Sequence, residues 1–133
     1  FFKERWHGFD DGLYAGARLL EILSRKKDSN TILNSIPDSI NTPELQIKLK
    51  EGENYSLISQ LQESIHFDNP EQIIKIDGVR AEYKDGFGLA RSSNTTPVVV
   101  LRFEANNKTS LKRIQNNFRK AILQIRPDLD LPF

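Results

Sequence analysis

The chain has 133 residues, with 19 Lys and Arg against 18 Asp and Glu and a formal net charge of +1. That balance gives no support to a general nucleic-acid surface, which carries a clear basic excess. There is no cysteine, so disulfides and thiolate metal sites are excluded. The apolar runs are strand-sized, too short to cross a bilayer. Phe1-Phe2-Lys3-Glu4-Arg5-Trp6 lacks the apolar core and small-residue cleavage site of a signal peptide. Methionine is also absent and the first residue is Phe1, which reads as an internal piece of a longer protein.

Asp10 or Asp11 can cap a helix whose apolar positions Leu13, Ala17, Leu20 and Leu23 fall at helical spacing, with Arg25, Lys26 and Lys27 at its C-terminal end. Two adjacent carboxylates at a helix start read as capping and dipole partners rather than metal ligands. A second short helix is expected over Asp28 to Ser35, ended by Pro37. The stretch from Pro37 to Pro43 holds two prolines among turn formers and reads as a linker.

Beyond it Leu45, Ile47 and Leu49 alternate with Gln46, Lys48 and Lys50, as on a strand with one buried face. Tyr55, Leu57, Ile58, Leu61 and Ile65 then follow helical spacing. Strands are expected over Ile73 to Ile76 with Val79 to Tyr83, over Gly86 to Arg91 and over Val98 to Glu104, with Asp77-Gly78 and Asp85-Gly86 as hairpin signals. A last helix from Lys108 to Gln124 should bury Leu111, Ile114, Phe118, Ile122 and Ile125, and Pro127 stops the pattern. Short hairpins favour antiparallel pairing. The expected architecture is therefore α+β, a four-stranded antiparallel sheet with both helices on one face.

Between two of these strands lies Arg91-Ser92-Ser93-Asn94-Thr95-Thr96-Pro97. One guanidinium, four hydroxyls and a side-chain amide in so short a loop can present many donors to a small anion, with Arg91 as a bidentate partner for phosphate. Ser, Asn and Thr also favour turns that gather successive backbone N–H groups into one concavity. The plain alternative is a polar strand connection, since loops collect such residues anyway.

Several stretches together resemble the C-terminal end of the bacterial phosphomannomutase/phosphoglucomutase group of the α-D-phosphohexomutases. They are Phe2-Lys3-Glu4-Arg5-Trp6, Gly8-Phe9-Asp10-Asp11-Gly12, Ala17-Arg18-Leu19-Leu20-Glu21-Ile22-Leu23-Ser24, Asp77-Gly78-Val79-Arg80, Gly88-Leu89-Ala90 running into the Arg91 to Pro97 loop, Leu101-Arg102-Phe103-Glu104-Ala105, and Leu131-Pro132-Phe133. The resemblance covers the chain in the correct order. It implies residues 1–38 as a helical remnant of a third domain with its linker, and 39–133 as a fourth domain with a sheet-and-helix fold like the TATA-binding protein's.

It further implies a cytoplasmic bacterial isomerase that interconverts mannose or glucose 1-phosphate and 6-phosphate. A phosphoserine of the enzyme would give its phosphoryl group to the sugar and take one back from a bisphosphorylated intermediate, which reorients in between. The fourth domain would close over the cleft and hold the phosphate that is not being transferred. By position, Arg91, Ser92, Ser93, Asn94 and Thr95 would form that clamp. Arg91 would supply charge and fork, Ser93 and Thr95 hydroxyl donors, Asn94 an amide, and Ser92 its backbone. Glucosamine-type and animal glucose-type mutases usually carry glycine at the Asn94 position, so Asn94 favours the mannose/glucose group.

The resemblance also says what this stretch does not contain. The phosphoserine loop and the three-aspartate magnesium loop belong to earlier domains, and a sugar-reading loop of Gly-Glu-x-Ser-Gly-His type would lie just before Phe1. Magnesium would therefore bind elsewhere in the parent, with none held here and no catalytic residue in this chain. Its partners would be the hexose phosphate, the bisphosphorylated intermediate and domains one to three, with neither nucleic acid nor membrane.

Remaining residues read as structural. His7 and His66 have no companion base or ligand pattern, and Arg80 and Arg102 suit strand-face ion pairs. Trp6 with Phe1, Phe2 and Phe9 suits core packing of the preceding domain, so residues 1–38 are expected to fray or pack differently when cut from it. One rival is a phosphoglucosamine-type mutase, disfavoured by Asn94. Another is a free-standing RNA-binding module, for which Tyr83, Phe87 and Phe103 would have to stack bases on an open sheet face.

Overall fold

The computed structural model describes residues 1–25, 28–64 and 66–133. The chain divides into two compact units, Phe1–Pro37 and Asp38–Phe133.

In the first unit Asp11, not Asp10, caps helix α1 (Gly12–Ser24), its carboxylate accepting from the Tyr14 N–H at 2.9 Å and the Trp6 indole at 3.1 Å. Arg25 forms the C-cap and pairs with Glu21 at 2.5 Å, while Lys26 and Lys27 lie outside the described residues. The apolar stripe read from the sequence does not face a core here: Leu13 is 90 % and Leu20 68 % exposed. Instead the Tyr14, Arg18 and Glu21 stripe meets the N-terminal segment. Trp6 stacks on Tyr14 at 4.5 Å, Arg18 lies over the Phe2 ring, and Arg5 bonds Glu21 at 3.1 Å. His7 stacks on Phe9, a packing role. Asp28 caps helix α2 (Ser29–Asn34) through the Asn30 N–H and the Thr31 hydroxyl.

The second unit is α+β. Strands β1 (Ile40–Asn41), β2 (Leu45–Lys48), β3 (Gln72–Ile74), β4 (Val79–Tyr83), β5 (Gly86–Ser92) and β6 (Val98–Ala105) join in one antiparallel sheet. Helices α3 (Glu53–Ser64) and α4 (Lys108–Ile125) pack on it and on each other. The order is β1-β6-β5-β4-β3, with β2 also on β6, so the sheet has six strands rather than four. Two short strands make the difference. β6 is long enough for its outer edge to pair β2 at Val98 to Leu101 and β1 at Glu104 and Ala105. Between them Thr42 exchanges bonds with Phe103, its N–H donating at 2.9 Å and its Oγ1 accepting at 3.2 Å. Thus part of the stretch read as linker is a strand edge. β3 is separated from β4 by residues 75–78 and pairs Ile73 with Ala81.

Period-two alternation sets the two faces. Ile47, Val79, Ala81, Tyr83, Ala90, Val99, Leu101, Phe103 and Ala105 are buried under the helices, with Leu57, Ile58, Leu61, Ile114, Phe118 and Ile122. Gly88 sits opposite Phe118, whose ring would lie 2.4 Å from a Cβ at that position, so glycine lets the ring lie against the central strand. On α4, Leu111 and Ile125 are only partly buried, and Ser110, Asn117 and Ala121 complete the buried face. On α3 the buried stripe is Asn54, Leu57, Ile58 and Leu61; Tyr55, expected inside, is half exposed, and Ile65 lies outside the described residues.

The same register removes the base-stacking reading. Tyr83 is 6 % and Phe103 0 % exposed beneath the helices, and Phe87 on the other face is covered by Arg80, whose guanidinium lies 3.6 Å from the ring centroid. Arg80 also pairs with Glu82 at 2.6 Å, as a strand-face ion pair should, whereas Arg102 is exposed without a salt bridge among the described residues.

Candidate functional site

The β5–β6 connection carries Arg91 to Pro97. Ser93 N–H donates to Val98 O at 3.0 Å and Val98 N–H to Thr96 O at 2.8 Å, closing the turn. Its centre is Ser93 Oγ, which lies 3.3 Å from both the Thr95 and Thr96 nitrogens and 3.0 Å from Thr96 Oγ1. A serine hydroxyl accepting two successive N–H groups is a local substitute for a backbone turn. It gathers those donors around one oxygen, the arrangement that suits an anion's oxygen equally well.

Alternation along β5 sends Arg91 to the open face and Ser92 beneath the helices. Arg91 therefore joins Ser93, Asn94, Thr95 and Thr96 around a groove of about 360 Å³, floored by Val98 and Val100. Glu44 and Gln46 form its rim, and the Gln46 amide donates to the Glu44 carboxylate at 3.0 Å. Four of the five residues expected in the clamp thus share one groove. Ser92 turns away, its hydroxyl donating to Asn54 O at 3.0 Å.

The arginine is held from the side by the β3–β4 connection. Asp77 Oδ2 lies 3.5 Å from Arg91 Nη1, both side chains being well exposed. Gly78, with φ +91°, passes so close to β5 that a Cβ would lie 2.3 Å from Ala90 O and 2.8 Å from Arg91 Cα. From α3 the Gln62 amide donates to Lys75 O at 3.0 Å and Gly78 O at 2.8 Å, and Lys75 Nζ returns a bond to Gln62 O. Asn94 also borders a second, smaller hollow with Tyr55, Ile76 and Asp77.

Asn54, Gln62 and Asp77 were not singled out from the sequence as site-shaping residues. The i, i+3, i+4, i+7 spacing of Asn54 with Leu57, Ile58 and Leu61 was the available signal for the first. Among the described residues no group of three or more His, Asp or Glu side chains is placed to hold a metal ion. No helix of the described residues is long and apolar enough to cross a membrane.

The family model for the phosphoglucomutase/phosphomannomutase C-terminal domain matches residues 44–121, which include both helices of the sheet unit nearly whole and the entire groove. The chain belongs to the phosphoglucomutase/phosphomannomutase family. A phosphoglucomutase of Neisseria meningitidis is 56 % identical over 133 residues, covering 99 % of this chain and 29 % of that protein. A phosphomannomutase/phosphoglucomutase of Pseudomonas syringae is 48 % identical over 134 residues, covering 100 % of this chain and 29 % of its own length. The crystal structure of a phosphoglucomutase/phosphomannomutase family protein from Burkholderia thailandensis superposes with a TM-score of 0.88 at 56 % identity, over 100 % of this chain and 28 % of that one. The chain thus spans less than a third of the length of these family members.

Proposed function

We propose that this chain is the phosphate-holding C-terminal part of a mutase that moves a phosphoryl group between the 1- and 6-positions of mannose or glucose. The observation that carries the reading is the groove in which Arg91 meets Ser93, Asn94 and Thr95. Arg91 offers a planar fork to two phosphate oxygens. The Thr95 and Thr96 N–H groups, aimed in the free chain at Ser93 Oγ, turn to the anion, and the hydroxyls of Ser93 and Thr95 follow. Membership of the family and its match to the C-terminal domain support assigning this role to the loop.

In this reading the groove grips the phosphate that stays put while the other is transferred. Positioning of that kind supplies much of the catalysis in phosphoryl transfer. The groove must also let the bisphosphorylated sugar turn round, so a grip through exposed side chains, screened by salt and water, suits the task. Asp77 at 3.5 Å competes with the anion for the guanidinium and moderates the grip. The phosphoserine, magnesium and sugar-reading loops of the parent enzyme lie outside these residues, and the chain alone has no mutase activity. Magnesium, when bound there, supplies charge neutralisation at the transferred phosphoryl group.

The test is a titration of the isotope-labelled chain with glucose 1-phosphate and, in parallel, with single-stranded RNA, following the amides of residues 91–95. Sugar phosphate should shift that loop with a dissociation constant of roughly millimolar order, and Arg91→Ala should abolish the shifts. In the full-length enzyme Arg91→Ala should chiefly raise KM. Shifts spread over the sheet with RNA alone, or unchanged catalytic efficiency in the Arg91→Ala enzyme, would remove the proposal.

A further inference from the structure

One fully buried polar side chain is not accounted for by packing. Asn54, in the first turn of α3, is 1 % exposed and lies in line with Leu57, Ile58 and Leu61. Its Oδ1 is buried without a hydrogen-bond partner. Leaving a buried acceptor unpaired is costly, and an apolar side chain in this stripe would avoid the cost. What the asparagine does have is two contacts with the chain where it leaves β5 for the loop. Its Nδ2 donates to Ser93 O at 3.1 Å, and its backbone O accepts from Ser92 Oγ at 3.0 Å.

The first contact fixes a peptide plane. The Ser93 carbonyl and the Asn94 N–H belong to one trans peptide, in which C=O and N–H point in opposite directions. Drawing the carbonyl toward α3 therefore turns the Asn94 N–H away from the helices, toward the side of the sheet where Arg91 lies. That N–H makes no hydrogen bond among the described residues. The second contact clamps the preceding residue, so the chain leaves β5 with both Ser92 and Ser93 tied to the same turn of helix.

We propose that Asn54 is a positioning residue of the phosphate clamp: it holds the Ser93–Asn94 peptide so that the Asn94 N–H faces the anion alongside Arg91. The inference rests on reading the loop as a clamp. It adds a backbone donor to the groove and assigns its orientation to a side chain that never touches the ligand.

The experiment compares the wild-type chain with Asn54→Leu and Asn54→Ala, titrating each with inorganic phosphate and following backbone amides. Asn54→Leu fills the apolar stripe and removes the unpaired Oδ1, which offsets the loss of the bond to Ser93 O, so its urea midpoint should stay close to that of wild type. Its phosphate affinity should nevertheless fall roughly tenfold, the scale of one charge-assisted hydrogen bond, and the Asn94 amide should lose its phosphate-induced shift. Asn54→Ala, smaller and free of overpacking, should show the same loss; unchanged Ile114 and Phe118 amides establish that each variant is folded. Either folded variant binding within twofold of wild type, with the Asn94 amide still shifting, overturns the role of Asn54 and leaves the clamp standing. A wild-type chain whose residues 91–95 do not respond to phosphate overturns the clamp, and the role of Asn54 with it.

Discussion

Replacing Gly78 by alanine should damage the fold and the groove together. The residue has φ +91°, a conformation that L side chains rarely adopt, and its missing Cβ faces backbone. A methyl there would stand 2.3 Å from Ala90 O, 2.8 Å from Arg91 Cα and 2.8 Å from Arg91 Cβ. These atoms cannot step aside, because β5 is the middle of the sheet, with Ala90 paired to Val79 on one side and Leu101 on the other. Dihedral strain costs about 1–3 kcal/mol and overpacking about 1–3 kcal/mol more, so the total is about 2–6 kcal/mol out of the ~5–15 kcal/mol typical of a domain. With a urea m-value of about 1–3 kcal/mol/M, the unfolding midpoint by far-UV circular dichroism should fall by roughly 1–3 M. The amides of residues 91–95 should move as well, since the clash lands on Arg91 itself. A midpoint lowered by less than about 0.3 M would refute the claim that the β3–β4 connection is pressed against β5.

Gly16→Ala should act in the opposite sense: a Cβ there meets nothing within 4 Å inside α1, so helix propensity favours it by about 0.5–1 kcal/mol, and slower amide exchange across Gly12–Ser24 would be the sign. Asn117→Ala should cost about 1–3 kcal/mol, because the buried Asn117 amide donates to the Tyr83 hydroxyl at 3.0 Å; adding Tyr83→Phe should recover part of the loss, and strictly additive urea midpoints would count against the pair. Asp85 should contribute to acid sensitivity, since the Ser110 hydroxyl and then the Arg113 guanidinium at 2.5 Å hold its carboxyl below the usual range. A depressed carboxylate stabilises the fold above its unfolded value near pH 4 and stops doing so as pH falls through its lower folded value. The Tm gap between wild type and Asp85→Asn should therefore be widest near neutrality and close in acid, and a gap independent of pH would contradict the linkage.

Much of the fold was legible because alternation and helical spacing report burial directly. Val99, Leu101, Phe103 and Ala105 announce the inner face of β6, and Ile114, Phe118 and Ile122 announce that of α4. One short strand, β1, lay hidden in the stretch read as linker, for a physical reason. Ile40 and Asn41 carry too few residues for a period to show, and what pairs them is the length of β6, a property of a segment sixty residues away in sequence. The α1 stripe misled for a different reason: periodicity reports which positions share a face, not whether that face is covered, and in this chain Tyr14, Arg18 and Glu21 are the positions in contact.

The groove itself was legible as composition, because its hydroxyls, amide and guanidinium are contiguous in the chain from Arg91 to Thr96. Its supports were not, because they arrive from other elements. Asn54 reads as one more polar residue at a helix start, Gln62 as a solvated helix position, and Asp77-Gly78 as turn chemistry. Only the sheet brings the β3–β4 connection beside Arg91, and only the packing of α3 over β5 brings Asn54 beneath Ser93. A loop of small polar residues has many accessible conformations, and fixing one of them costs entropy for every residue ordered. The contacts from α3 and from Gln62-braced Gly78 fix that geometry when the domain folds, before any anion arrives. An anion bound as proposed would meet a loop whose turn is already closed through Ser93 N–H and Val98 O, and prior ordering of that kind lowers the entropy lost on binding.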